Sequence, residues 1–205
     1  MTKPLYWNEA KEYLSKKDKK LKEIIKNHDG HLKSKKNAFY SLCKSIIGQQ
    51  ISVQSAESVW KRLTKRSIRI TPTNIHSLTK EEIQNCGVTR QKTEYLKLLA
   101  QNFLRKNFNV SKIKKLDDEE AILYLCQNKG IGRWTAEMFL IFNQNRENIF
   151  PVQDIGLLKG ISRNFGTKYP PSETELGSFR KRWNPYCTVA TWYIWRSVDP
   201  VPVEY

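Results

Sequence analysis

Long apolar runs, closely spaced cysteines and strand-like alternation are all missing from this chain of 205 residues. Its longest apolar stretches resemble Phe139-Leu140-Ile141-Phe142, well short of the roughly 18 residues that cross a bilayer, which excludes a transmembrane protein. The four cysteines, Cys43, Cys86, Cys126 and Cys187, lie about 40 to 60 residues apart. They have neither the close pairs of a zinc or iron–sulfur site nor the density of a disulfide scaffold, and they read as reduced, mostly buried thiols. The N-terminus mixes charged and aromatic residues (Lys3, Trp7, Glu9, Lys11, Glu12) without the apolar stretch of a secretory signal, so the chain reads as one that starts here and stays inside the cell. No internal repeat and no Gly/Ser- or Pro-rich linker divides it, which suggests one compact unit whose lobes share a core.

Acidic residues are scarce beside basic ones. With 36 Lys and Arg against 20 Asp and Glu, the net charge is +16, which favours a polyanionic partner. A hydrophobic fraction of 39% still suffices for a core. The apolar spacing is helical nearly throughout. Phe39, Leu42, Cys43, Ile46 and Ile47 line one helix face, Gly48 closes that helix, and Ser52 caps the next, which carries Ala56, Val59, Trp60 and Leu63. Thr79-Lys80-Glu81-Glu82 is a capping box before a short helix stopped by Gly87, and Leu96, Leu99, Ala100 and Phe103 mark the helix after it. Asp117 caps a helix with Ala121, Ile122 and Leu125. A second box, Ser172 to Glu175, and Asn184-Pro185, with proline at the first helical position, begin two late helices. The lysine-rich run from Lys16 to Lys26 reads as the solvated face of one helix resting on Leu21, Ile24 and Ile25. About ten helices and no strand are expected.

Between the helix ending near Cys126 and the one starting near Arg133 lies Asn128-Lys129-Gly130-Ile131-Gly132-Arg133-Trp134-Thr135-Ala136. Its glycines permit a sharp turn, and the unpaired amides at the start of the following helix can hold a phosphate without reading a base. A Gly-x-Gly turn also serves plain helix packing, so the segment Phe150-Pro151-Val152-Gln153-Asp154-Ile155-Gly156-Leu157 matters. Together the two stretches resemble the helix-hairpin-helix motif and catalytic-aspartate segment of the helix-hairpin-helix DNA glycosylases. The separation from Trp134 to Asp154 (154 − 134 = 20 residues) matches that family's pattern. Ile46-Ile47-Gly48-Gln49-Gln50-Ile51-Ser52 resembles the intercalating loop of the alkylation-repair branch, DNA-3-methyladenine glycosylase II. Trp183-Asn184-Pro185-Tyr186, continuing to Ile194-Trp195-Arg196, resembles that branch's C-terminal tryptophan helix. The resemblance extends from about Phe39 to Trp195.

This resemblance implies an all-α fold of two helical lobes around a cleft, with lobe one at about 38–150 and lobe two formed by 1–37 and 151–205. The resemblance implies the compact form, without the N-terminal β-rich domain of better-known bacterial relatives. The implied activity is monofunctional: hydrolysis of the N-glycosidic bond of alkylated bases such as 3-methyladenine in double-stranded DNA, leaving an abasic site. The implied enzyme is a monomer whose partner is damaged duplex, in the nucleoid-associated cytoplasm of a bacterium or the nucleus of a eukaryote. Asp154 would stabilise the oxocarbenium-like sugar or direct the attacking water; the other reading of Asp154 is a plain helix cap. Trp134, Met138 and Trp195 would line the base pocket, with Met138 replacing an aromatic residue of the form with the β domain; Trp192 and Tyr193 read as core. Gln50 is either the wedge that fills the vacated stack or a turn residue, and Ser52 lies beside it. Gly130, Ile131, Gly132, Arg133 and Thr135 would contact DNA, Arg133 first among the side chains. Backbone carbonyls of Cys126, Asn128 and Ile131 would hold a monovalent cation. No other cofactor is implied, and the family's iron–sulfur loop is absent because only Cys187 follows Asp154. Trp134 stands where bifunctional members carry a nucleophilic lysine, which disfavours an oxidised-base glycosylase/lyase. A non-catalytic DNA-binding module is the other rival, and it would need neither Asp154 nor an aromatic pocket.

Overall fold

Polar caps cut the chain into its helices. In the computed structural model, which describes residues 3–34 and 37–199, the regular structure is thirteen α-helices, with no strand among the described residues. The first two, α1 (Trp7–Lys17) and α2 (Lys19–Asn27), are separated by Asp18. Its extended backbone (φ −142°, ψ 108°) breaks the lysine-rich run, and its Oδ1 accepts from the Leu21 N–H at 3.0 Å. The expectation of one helix across this run is therefore corrected: a short carboxylate competes for backbone N–H groups and caps a helix better than it continues one.

Next come α3 (Ala38–Gly48), α4 (Val53–Ser67), α5 (Pro72–Ser77), α6 (Lys80–Gln84), α7 (Arg90–Leu104), α8 (Val110–Ile113) and α9 (Asp118–Cys126). After them lie α10 (Arg133–Phe142), α11 (Ile155–Phe165), α12 (Glu173–Trp183) and α13 (Cys187–Val198). The excess over the sequence expectation comes from the break at Asp18 and from α5 and α8, which at 6 and 4 residues are too short to show a period. The boxes at Thr79/Glu82, Asp117/Glu120 and Ser172/Glu175 form reciprocally, and the Ser52 side chain accepts from the Ser55 N–H. Pro185 does not open α13. Asn184, held extended as residues before proline are, instead closes α12 by donating to the Arg180 carbonyl, and Tyr186 precedes the first turn of α13.

The described residues form two compact units, 3–34 with 140–199, and 37–139. In the first, α13 packs on α2, α1, α11 and α12, around fully buried Trp7, Leu14, Leu21, Trp183 and Tyr193. Gly160 permits the close approach of α11 to α13: a Cβ there would lie 2.3 Å from Ile194 Cγ2. Asp18, itself buried, also accepts from the Trp183 indole at 3.0 Å and from Arg182 at 3.2 Å, so its charge is paired and hydrogen-bonded. In the second unit α7 is central, packed on α3, α5 and α6, with Phe39, Phe103 and Phe108 in a ring cluster. The four cysteines are free thiols; Cys126 is half-buried, the others are buried, and burial pushes Cys187 up to about 12. Among the described residues, no helix is long and apolar enough to cross a membrane.

Candidate active site and DNA-binding hairpin

The hairpin after α9 is shaped by backbone bonds: Asn128 N–H donates to Leu125 O at 3.1 Å and Ile131 N–H to Asn128 O at 2.9 Å. Its two glycines have different duties. Gly130 has φ +92°, and a Cβ on it would sit 2.3 Å from Tyr95 Cγ, so both its conformation and its contact demand glycine. Gly132 is exposed, and a Cβ there would meet nothing within 4 Å. It lies immediately before α10, at the positive end of that helix's backbone dipole.

The side chains around this turn are less available than the sequence suggests. Ile131 and Thr135, expected at the DNA, are 3% and 2% exposed. Ile131 is apolar and packs inward, and the Thr135 hydroxyl accepts from Gln49 Nε2 at 2.9 Å. Arg133 lays both terminal nitrogens on the Glu119 carboxylate at 2.7 Å each and its Nε on Glu137 at 3.1 Å. The bonds to Glu119, and then the charge of Glu137, raise its pKa further. The cation expected to lead phosphate contact is thus already paired with two carboxylates.

The segment after α3 is held from two directions. Gln49 Nε2 donates to the Gly130 carbonyl and to Thr135 Oγ1, both at 2.9 Å. Lys92 Nζ, half-buried on α7, donates to the carbonyls of Ile47 at 2.7 Å and Gln49 at 2.6 Å. Burial holds this ammonium below the usual lysine pKa. Gln50 is exposed and has φ +56°, a left-handed conformation costing a residue with a Cβ roughly 1 to 2 kcal/mol. Ser52, exposed, caps α4. Neither Gln49 nor Lys92 stands out in the sequence as a site residue. The adjacent glutamine pair is a weak signal for the first, and Lys92 has none, lying 43 residues from Gln49.

In the other unit, Asp154 is the N-cap of α11. Its Oδ1 accepts from the Leu157 N–H and from the Trp195 indole N–H, each at 2.7 Å. The residue is half-buried: it caps the helix and keeps part of its surface exposed. Gly156 makes room for this pair, since a Cβ there would be 3.1 Å from Asp154 Oδ1 and from Trp195 Cδ1. The Trp195 ring stacks on Phe142 at 5.9 Å and 7°. Trp7, Trp60, Trp183 and Trp192 are buried; Trp134 and Trp195 are the two tryptophans of this chain that keep partial exposure. Tyr193 is core, as expected. Met138, expected in the pocket lining, is 0% exposed, on the buried face of α10. No cluster of three or more His, Cys, Asp or Glu suited to a metal ion occurs among the described residues.

Comparison with known proteins gives a consistent picture. Residues 43–185 match the family described as HhH-GPD superfamily base excision DNA repair protein. The alkylbase DNA glycosidase-like protein mag2 of Schizosaccharomyces pombe is 27% identical, over 96% of this chain and 96% of that protein. A DNA-3-methyladenine glycosylase of Saccharomyces cerevisiae is 35% identical, over 85% of this chain but 65% of the relative. Among solved structures, the S. pombe 3-methyladenine DNA glycosylase Mag1 in complex with abasic DNA superposes with a TM-score of 0.82 at 28% identity, covering 92% of this chain and 96% of that one.

Proposed function

Given that this chain belongs to the HhH-GPD superfamily of base excision DNA repair proteins, we propose that it is a monofunctional DNA glycosylase that removes alkylated bases such as 3-methyladenine from duplex DNA and leaves an abasic site. The observation that carries this reading is the Asp154 carboxylate, fixed by the Leu157 N–H and the Trp195 indole yet partly open. A carboxylate held by donors need not reorganise as positive charge develops on the sugar, which is where electrostatic stabilisation of the transition state acts. An alkylated purine is already cationic and leaves readily, so the partly exposed Trp195 ring, hydrogen-bonded to Asp154, suits its recognition and no strong general acid is needed.

The hairpin supplies grip. Its open face at Gly132 and the first-turn amides of α10 suit a phosphate, and the net charge of +16 supplies long-range attraction. Gln50 is the wedge and Ser52 its neighbour at the duplex. The carbonyls of Cys126, Asn128 and Ile131 would hold a monovalent cation: uncharged oxygens suit a single charge, and the Asn128 carbonyl has a second lone pair beyond its bond to Ile131. Such an ion would stiffen the turn. With Trp134 where a lyase needs an amine, the product is an intact abasic strand.

The test incubates the protein with methylated duplex, identifies released bases by mass spectrometry, and adds borohydride during turnover. Free 3-methyladenine with no trapped adduct is the expected result. A covalent adduct would turn the reading toward a lyase, and DNA binding without base release toward a non-catalytic module.

A further inference from the structure

The residues that hold the turn at Gln50 have no part in the reaction as described so far, yet they form a connected network. Lys92 donates from α7 to two carbonyls at the end of α3, where the helix leaves its last C=O groups without partners. One of those carbonyls belongs to Gln49 itself, so the peptide entering Gln50 is tied down by a charge-assisted bond. The Gln49 side chain reaches the opposite way, to the hairpin carbonyl of Gly130 and the buried Thr135 hydroxyl. Gln50 follows in a left-handed conformation that a residue with a Cβ keeps only when its surroundings over-determine it. Burying part of a lysine for this purpose is unfavourable unless its protons are used, and here they are used on the wedge turn.

We propose that Lys92 and Gln49 are positioning residues that clamp the Gln50 wedge to the phosphate-binding hairpin, so that gripping the backbone and unstacking the base act as one rigid unit. This rests on the reading of Gln50 as the wedge. The clamp does not touch the reacting atoms. Its loss therefore slows extrusion of the base and leaves bond cleavage, once the base is out, unchanged.

The experiment compares wild type with Lys92→Met, Lys92→Arg and Gln49→Ala on duplexes carrying one N7-methylguanine, paired with cytosine or mispaired with thymine. In the mispair extrusion is already cheaper. Single-turnover excision from the matched pair should fall about tenfold in Lys92→Met and Gln49→Ala, and less than about threefold from the mispair, with Lys92→Arg recovering most of the difference. A second arm needs no catalysis: 2-aminopurine beside a tetrahydrofuran abasic analogue should brighten on binding wild type and markedly less with either loss variant. Equal losses on both duplexes, or unchanged fluorescence, would overturn the clamp. If wild type releases no base while the fluorescence difference persists, the glycosylase reading fails and the clamp stands. Should Lys92→Met not fold, Gln49→Ala carries the same comparison alone.

Discussion

On the proposed function, the hairpin and the Asp154 site would solve opposite problems with opposite materials. At the hairpin the useful groups are backbone amides, and the neighbouring side chains are withdrawn: Ile131 and Thr135 inward, Arg133 onto Glu119 and Glu137, Gly130 under Tyr95. At Asp154 the group proposed to act is one side chain, and the Leu157 N–H of α11 and the Trp195 indole both donate to it. A phosphate is the same at every nucleotide, so shape and dipole suffice to hold it; a cation developing on one sugar needs a charge at one place.

The sharpest division between the two regions is Asp154→Asn. Base release should drop by on the order of 10²- to 10³-fold in single-turnover assays. Affinity for duplex and thermal stability should stay nearly unchanged, because asparagine still caps α11 and still accepts from the Trp195 indole. Activity within about threefold of wild type would remove Asp154 from its role. The two hairpin glycines test the other side. Gly130→Ala should destabilise the fold by roughly 2 to 3 kcal/mol in denaturant titrations, since its φ of +92° and the Tyr95 ring both oppose a Cβ. Gly132→Ala, in open space, should leave stability within about 0.5 kcal/mol and alter only DNA affinity. Equal destabilisation by both would mean that the turn does not distinguish them.

Smaller effects refine the comparison. Trp195→Phe keeps a ring against Phe142 but deletes the indole donor to Asp154. Excision should slow about tenfold with duplex binding unchanged, the equivalent of roughly 1.4 kcal/mol. Arg133→Met should change DNA binding only slightly. The salt dependence of duplex affinity should shift by well under one phosphate contact, while stability falls as Glu137, 2% exposed, loses a cationic partner. A slope reduced by about one would restore Arg133 as a phosphate ligand.

Much of this was legible along the chain. The boxes at Thr79, Asp117 and Ser172, the glycine turn before α10 and the cap at Asp154 are interactions within a few residues, and composition at fixed offsets marks them. The aromatic reading was legible in part: Trp134 and Trp195 keep partial exposure while Trp192 and Tyr193 are core, but nothing near Met138 indicates that it turns inward. Asn184-Pro185 shows the ambiguity of local signals, since the residues that start a helix also end one.

By itself the sequence determined most of the longer helices, the three capping boxes, the hairpin and the one carboxylate placed to cap α11, because each of these depends on neighbours a turn or less away. The tertiary structure alone decided where the long polar side chains go. Arg133 meets Glu119 across 14 residues, the Trp195 indole meets Asp154 across 41, and Lys92 and Gln49 join α3, α7 and the hairpin across 43 to 86. A flexible side chain of several rotatable bonds has many partners within reach, and only the packing of helices distant in sequence selects which one it finds.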